Sequence, residues 1–279
     1  MKVLVTGVKG QLGHDIIEEC TTRNIEAIGV DIEEMDITNE EKVNEVIRNG
    51  NYDAVIHCAA WTAVDAAEEQ VEACKKVNVD GTVNIANVCE ALDIPMMYFS
   101  TDYVFDGQGT TPWQEYDRRD PLNVYGQTKY EGELAVEKLA KHFIVRIAWV
   151  FGANGNNFIK TMLRLGKERG EVSVVNDQVG SPTYTFDLAK LAVDMIESAK
   201  YGTYHATNQG FCSWYDFALE IFKQANMDVK VNPVDSSAFP VKAVRPKNSR
   251  MDETELDKAG FKRLPDWQDA LSRYLKEIE

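Results

Sequence analysis

Tyr125 and Lys129 stand at i and i+4 in Tyr125-Gly126-Gln127-Thr128-Lys129. On a helix that spacing puts both side chains on one face. A free phenol, with a pKa of about 10, is a poor acid or base at neutral pH. An ammonium a few ångströms away favours the phenolate and is expected to lower that pKa toward the optimum for proton transfer. In a chain with eleven tyrosines, a surface pair of this kind also arises by accident. Context favours chemistry. Ser100-Thr101 follows an apolar run from Pro95 that reads as a strand. In open α/β sheets, ligands gather at the carboxyl ends of strands. A Thr101 hydroxyl there would hydrogen-bond a substrate carbonyl beside Tyr125. Alone, Thr101 would read as a loop-start residue bonding its own backbone.

A second pattern, Thr6-Gly7-Val8-Lys9-Gly10-Gln11-Leu12-Gly13, follows the apolar run Val3 to Thr6 and opens a helix-patterned segment. Gly7 permits a tight turn. Gly10 removes a Cβ that would block a pyrophosphate. Gly13 lets helix and strand approach closely. Free N–H groups and the positive end of the helix dipole then face the phosphates. Position raises this above a glycine triplet that only packs a turn. Asp31 ends the next apolar run, where an acid can accept hydrogen bonds from an adenosine ribose. Its charge favours NADH over NADPH. Lys9, inside the turn, argues the other way, and the sequence leaves both coenzymes open. Asp36 either meets the adenine amine or belongs to the turn before the next helix.

The elements that must position these residues alternate. Strands are expected at Val3 to Thr6, Glu26 to Val30, Asp53 to His57, Pro95 to Ser100 and Phe143 to Trp149. Helices are expected at Gln11 to Arg23, at Thr38 to Asn49 with a Thr38/Glu41 capping box, through much of Val64 to Leu92, and at Tyr125 to Lys141. Alternation implies a Rossmann-like, doubly wound parallel sheet, because parallel neighbours need crossovers. Residues 1–150 read as a dinucleotide-binding domain. Residues 151–279 read as a smaller mixed α/β substrate-binding lobe, part of it returning to the first domain. Within it, Asn232 to Asn248, with three prolines, is expected to be irregular.

Composition narrows the function classes. The chain has 279 residues, 44% hydrophobic, with net charge −15. An acidic surface repels polyanions, so nucleic acid is not an expected partner. The five cysteines are scattered without a CxxC pair, which suits a reducing cytoplasm. No leader or membrane-length apolar run is visible, and a cytoplasmic protein without a membrane partner is expected. The four histidines are dispersed and receive no role.

The glycine turn, the strand-end Ser-Thr and the Tyr-x-x-x-Lys together resemble the extended short-chain dehydrogenases/reductases. Further stretches are similar to the dTDP-4-dehydrorhamnose reductase family. They are Ser100 to Gly107, Pro121 to Gly126, Asn176-Asp177-Gln178, Gly180-Ser181-Pro182-Thr183 and Arg245 to Arg250. The resemblance runs nearly the whole length. It implies NADPH- or NADH-dependent reduction of the 4-keto group of a dTDP-linked keto-sugar, dTDP-4-dehydro-L-rhamnose. Tyr125 would give the proton, Lys129 tune it, and Thr101 polarise the carbonyl. The resemblance further implies coenzyme contacts at Gly10, Gln11, Leu12, Asp31, Asp36, Ile37, Ala60, Trp61 and Thr62, and sugar contacts at Thr101, Asp102 and Trp149. Arg245, Lys247 and Arg250 form the local basic patch that a nucleotide diphosphate needs. Some relatives hold Mg²⁺ between subunits through glutamates. Here Asp15 stands at the matching first-helix position, and the matching position near Phe186 has no carboxylate. No metal is assigned, and a monomer or homodimer is expected. Two other readings share the motifs. One is a nucleotide-sugar epimerase or dehydratase, which regenerates its coenzyme. The other is a non-catalytic dinucleotide-binding regulatory subunit.

Overall fold

The computed structural model describes residues 1–279. The first half runs β1 Lys2–Thr6, α1 Gln11–Thr22, β2 Glu26–Val30, α2 Glu40–Gly50, β3 Ala54–His57, α3 Val64–Glu69 and α4 Val71–Lys75. A π-helical turn, Lys76–Asp80, leads into α5 Gly81–Leu92, followed by β4 Met96–Thr101, α6 Val124–Val136 and β5 His142–Ile147. Beyond these come β6 Val150–Phe151, α7 Phe158–Arg169, β7 Glu171–Val175, β8 Val179–Gly180, β9 Thr183–Tyr184, α8 Thr185–Ile196 and β10 Gly202–His205. The chain finishes with β11 Cys212–Ser213, α9 Trp214–Gln224, β12 Lys230–Val234, β13 Asn248–Ser249, α10 Thr254–Ala259 and α11 Trp267–Ile278.

Six parallel strands form the central sheet in the order β10-β5-β4-β3-β1-β2. Alternate side chains on each strand face opposite ways. Val3, Val5, Ile56, Phe99 and Val145 pack with α1 and α8 on one face. Leu4, Val55, Tyr98 and Ile144 pack with α2 and α5 on the other. The strand order reverses between β1 and β3. A crevice therefore opens beyond their carboxyl ends, and this is where the glycine turn lies. Residues after Phe151 build a third core around Phe151, Phe217 and Tyr274. The same half also sends α8 and β10 back to the central sheet, where β10 pairs with β5. No helix is long and apolar enough to cross a membrane.

Several local expectations are corrected. Asn39, not Thr38, caps α2, its side chain accepting the Lys42 N–H at 3.0 Å. Thr38 instead donates to Asp36 Oδ1 through both its N–H and its hydroxyl. β5 stops at Ile147, and Trp149 sits at φ +49°, a conformation no strand can continue through. α6 ends at Val136 rather than Lys141. The stretch read as irregular begins within a real strand, because β12 pairs in parallel with β7 from Lys230 to Val234. Pro233 is tolerated there because β12 is an edge strand.

Candidate active site

The glycine turn is closed by Gly7 N–H donating to Val30 O at 2.9 Å, which ties β1 to β2. Gly7 adopts φ +70°, and a Cβ there would meet the Ala59 backbone at 2.7 Å. A Cβ on Gly13 would lie 2.4 Å from the Gly7 carbonyl oxygen. Only glycine therefore lets α1 start this close to the sheet edge. A cavity of about 1000 Å³ opens here, large enough for a dinucleotide together with the reacting end of a substrate. Its lining includes Gly7, Gly10, Gln11, Leu12, Gly13, Asp31, Asp36, Ile37, Ala60, Trp61 and Thr62 at one side. Thr101, Asp102, Tyr125, Lys129 and Trp149 line the other. The cradle fits a nicotinamide dinucleotide: it combines a Cβ-free turn, a helix N-terminus and an acid at the end of β2.

Each wall has its own anchor. Gln11 Oε1 accepts from Gly152 N–H and Asn157 Nδ2, joining the start of α1 to the second half of the chain. Asp31 accepts from the backbone N–H groups of Lys9 and Ile32. Asp36 Oδ1 is engaged in its own turn by Thr38. Asn78, in the π-helical turn, clasps Trp61 through both backbone groups and also donates to Thr128 Oγ1 on α6. One buried amide thus holds the Ala60-Trp61-Thr62 wall against the helix that carries Tyr125.

Asn123 caps α6 by accepting the Gly126 N–H, and Gly126 packs on the Tyr103 carbonyl, where a Cβ would come within 2.2 Å. That contact sets Tyr125 beside the end of β4. The Thr101 hydroxyl faces Tyr125 and donates to Asp102 Oδ1 at 3.0 Å. Burial pushes the Tyr125 phenol above its ordinary pKa, and the Thr101 hydrogen bond offsets only part of that. Lys129 does not lower it as expected. No hydrogen bond joins the two, and the Lys129 ammonium lies 4.0 Å from the Tyr98 ring centroid. Lys129 is 3% exposed, and burial pulls its own pKa down to about 7. The physical reason is shared: both groups occupy one low-dielectric site, and each favours its neutral form. Tyr125 is therefore protonated at neutral pH, the state a proton donor requires.

Asp102 is 1% exposed and lines the cavity, with Oδ2 lacking any partner. Burial raises its pKa to about 6. One oxygen of this buried carboxyl is thus left unsatisfied beside the cavity. Trp149 stacks on Trp214 with centroids 3.7 Å apart. Trp214 also lines a second cavity of about 740 Å³, walled by Phe158, Met162, Phe239, Val244, Arg245 and Lys247.

The expected basic patch does not form as a free cluster. Arg245 Nη2 pairs with Asp65 Oδ2 at 2.6 Å, Lys247 pairs with Asp177, and Arg250 binds Asn248 Oδ1 and lines neither cavity. Distant carboxylates neutralise cations that are neighbours in sequence. Arg245 Nη1 remains buried without a partner. Asp15 is buried against α8 near Thr185, and no group of three or more His, Cys, Asp or Glu side chains converges on a metal position. Sequence reasoning missed Asn78, Tyr98, Trp214 and the ion pair of Glu133 with Arg146 behind Lys129. None carries a local spacing signal.

A doubly wound sheet with this glycine turn, and with Tyr125, Lys129 and Thr101 at one cavity, defines an extended short-chain dehydrogenase/reductase. Comparison with known proteins narrows the class. A family model described as the RmlD substrate binding domain matches residues 1–279. A dTDP-4-dehydrorhamnose reductase of Aggregatibacter actinomycetemcomitans is 39% identical over 285 residues, covering 97% of each chain. The crystal structure of such a reductase from Clostridium acetobutylicum superposes with a TM-score of 0.97 at 43% identity, covering 100% of this chain and 99% of that one. Another from Bacillus anthracis, solved in complex with NADP, gives 0.96 at 43% identity, covering 99% and 100%. The chain belongs to the dTDP-4-dehydrorhamnose reductase family.

Proposed function

We propose that this chain uses a nicotinamide coenzyme to reduce the 4-keto group of dTDP-4-dehydro-L-rhamnose, giving dTDP-L-rhamnose. The observation that carries the reading is the meeting of Thr101, Tyr125 and Lys129 at the cavity that holds the glycine turn. When bound, NADPH or NADH supplies the hydride that goes to the keto carbon. The residues of the chain do the rest. Tyr125, held protonated by burial, gives its phenolic proton to the keto oxygen as negative charge develops there. Thr101 turns its hydroxyl to the same oxygen and stabilises that charge. Lys129 anchors ribose hydroxyls and, as a cation, steadies the phenolate left on Tyr125. Asp102 Oδ2 accepts a sugar hydroxyl, and Trp149 offers an apolar face to the sugar ring.

The second cavity, joined to the first at Trp214, is the natural seat for the nucleotide. Arg245 lines that cavity and would supply a cation to the diphosphate. Residues 1–150 act mainly as the coenzyme domain and residues 151–279 mainly as the substrate lobe. The partner is a dTDP-linked sugar. A cytoplasmic monomer or homodimer suits the scattered free thiols. A dehydratase would need a second carboxylate next to Asp102. Tyr103 fills that position and packs edge-on against Tyr125.

The test is the loss of NADPH and NADH absorbance with the keto-sugar nucleotide. The wild type should oxidise one coenzyme per sugar. Tyr125→Phe should lose on the order of 10²–10⁴-fold in kcat while binding coenzyme normally. Turnover without net oxidation would overturn the reductase reading. An unaltered Tyr125→Phe variant would favour a non-catalytic subunit.

A further inference from the structure

Residues 240–246 run from the 3₁₀ turn Ser236–Ala238 toward β13. Pro240, Val241, Ala243, Val244 and Arg245 of this strap form one wall of the second cavity. The strap makes no backbone-to-backbone hydrogen bond. Val241 and Val244 are exposed, so burial of those side chains does not pin it either. Ala243 is nevertheless 0% exposed, and a buried N–H requires an acceptor.

The acceptor comes from the other half of the chain. Asp65, in α3, accepts the N–H groups of Lys242 and Ala243 on Oδ1, both at 3.1 Å. Its Oδ2 accepts from Arg245 Nη2 at 2.6 Å. Asn123 adds one more tie, donating from Nδ2 to Val244 O at 2.8 Å while its Oδ1 caps α6. Asp65 itself lines neither cavity, although it directly follows Val64, which lines the large one. Whatever Asp65 does for a ligand must therefore pass through the strap and the guanidinium it holds.

We propose that Asp65 is a positioning residue for the nucleotide end of the substrate: it shapes the strap and fixes the Arg245 guanidinium before the nucleotide arrives. The proposal rests on reading the second cavity as the nucleotide seat. A guanidinium already held along one edge loses less freedom when its remaining donors meet a diphosphate. Charge alone forecasts the opposite. An acid beside the cation that meets an anionic ligand should weaken binding, and neutralising it should help. The two accounts differ in sign.

The experiment is calorimetric titration of the full-length protein with dTDP and, separately, with NADPH. Asp65→Ala loses all three contacts and should weaken dTDP by roughly tenfold. Asp65→Asn keeps an oxygen for the two backbone N–H groups but not the charge for Arg245, and should weaken dTDP roughly two- to fivefold. In an Arg245→Ala background, Asp65→Asn should change dTDP binding by less than about twofold, because the guanidinium it orients is gone. NADPH affinity should stay within about twofold in every variant. In turnover, the KM of the sugar nucleotide should rise with kcat close to wild type, a split that a general loss of structure does not produce. Glu69→Gln removes another acid of α3, one that meets the strap only through the exposed Lys242 ammonium, and should leave dTDP binding unchanged.

Binding of dTDP by Asp65→Asn as tight as wild type, or tighter, would overturn the proposal. So would a parallel loss of NADPH affinity, or a Glu69→Gln variant that matches Asp65→Asn. If Arg245→Ala binds dTDP like the wild type, the reading of the second cavity fails and the proposal falls with it. A loss in Arg245→Ala beside an unaltered Asp65→Asn defeats the positioning role alone.

Discussion

Glu133→Gln should be costly out of proportion to its size. Glu133 lies on α6 one turn beyond Lys129 and is 0% exposed. Its Oε1 accepts from Arg146 Nε at 2.8 Å, and its Oε2 from Arg146 Nη2 and Arg119 Nη1 at 2.9 Å. Burial pushes the carboxyl up, but Arg146, with Ser100 and Arg119, outweighs this and holds it below the usual carboxylate range. The amide keeps one oxygen and turns an NH₂ toward guanidinium donors. Arg146, 1% exposed, would keep the Glu115 carbonyl at 2.8 Å but lose its counter-charge. Removing one partner of a buried pair costs about 3–5 kcal/mol. That corresponds to a fall in Tm on the order of 10 °C for a chain of this length. Arg119→Gln touches the same carboxylate from a side chain 20% exposed, and should cost only about 1 kcal/mol. Urea denaturation of the two variants measures the contrast.

Kinetics gives a second readout. Glu133 is the largest influence keeping Lys129 charged against burial, ahead of Cys58 and Cys74. Without it the Lys129 pKa drops below about 7. Activity that needs the Lys129 cation is lost as pH rises through that pKa, so the alkaline limb of kcat should move to lower pH. A Glu133→Gln protein no less stable than Arg119→Gln would refute the argument from buried charge. A stability loss with an unmoved alkaline limb would refute the link to Lys129.

Other perturbations test the remaining contacts. Gly13→Ala drives a Cβ to 2.4 Å from the Gly7 carbonyl oxygen; it should cost about 1–3 kcal/mol and weaken NADH and NADPH binding alike, as read by melting and by titration. Arg245→Ala should raise the KM of the sugar nucleotide much more than that of the coenzyme, and equal effects would count against a phosphate contact in the second cavity. Glu115, 4% exposed, has its pKa raised by burial to about 7. The folded protein therefore binds this proton more tightly than the unfolded chain, whose glutamates titrate near about 4.3. The stabilisation is complete below that value and is lost as pH rises toward about 7. Glu115→Gln should flatten the fall in unfolding free energy over that window, by ~2–3 kcal/mol. A slope equal to wild type would mean that Glu115 does not carry it.

Local spacing made part of this protein readable from its residues alone. The glycine turn is legible because its three glycines serve contacts within one turn and its neighbours. Tyr125 and Lys129 are legible because one helical turn fixes their shared face, and Thr101 because a strand end is a local event. The family resemblance carried these residues to a reaction. What the sequence could not supply was anything set by partners distant along the chain. Arg245 looked like part of a free basic patch because Asp65, which neutralises it, is remote in sequence. Trp214 reaches Trp149 only after the second half folds back across the sheet. The expected depression of the Tyr125 pKa failed for a similar reason. A pKa depends on how much water remains around a group, and burial is a property of the packed molecule. Proximity in sequence set which groups meet, while tertiary structure decided their charge, their partners and the room left for a ligand.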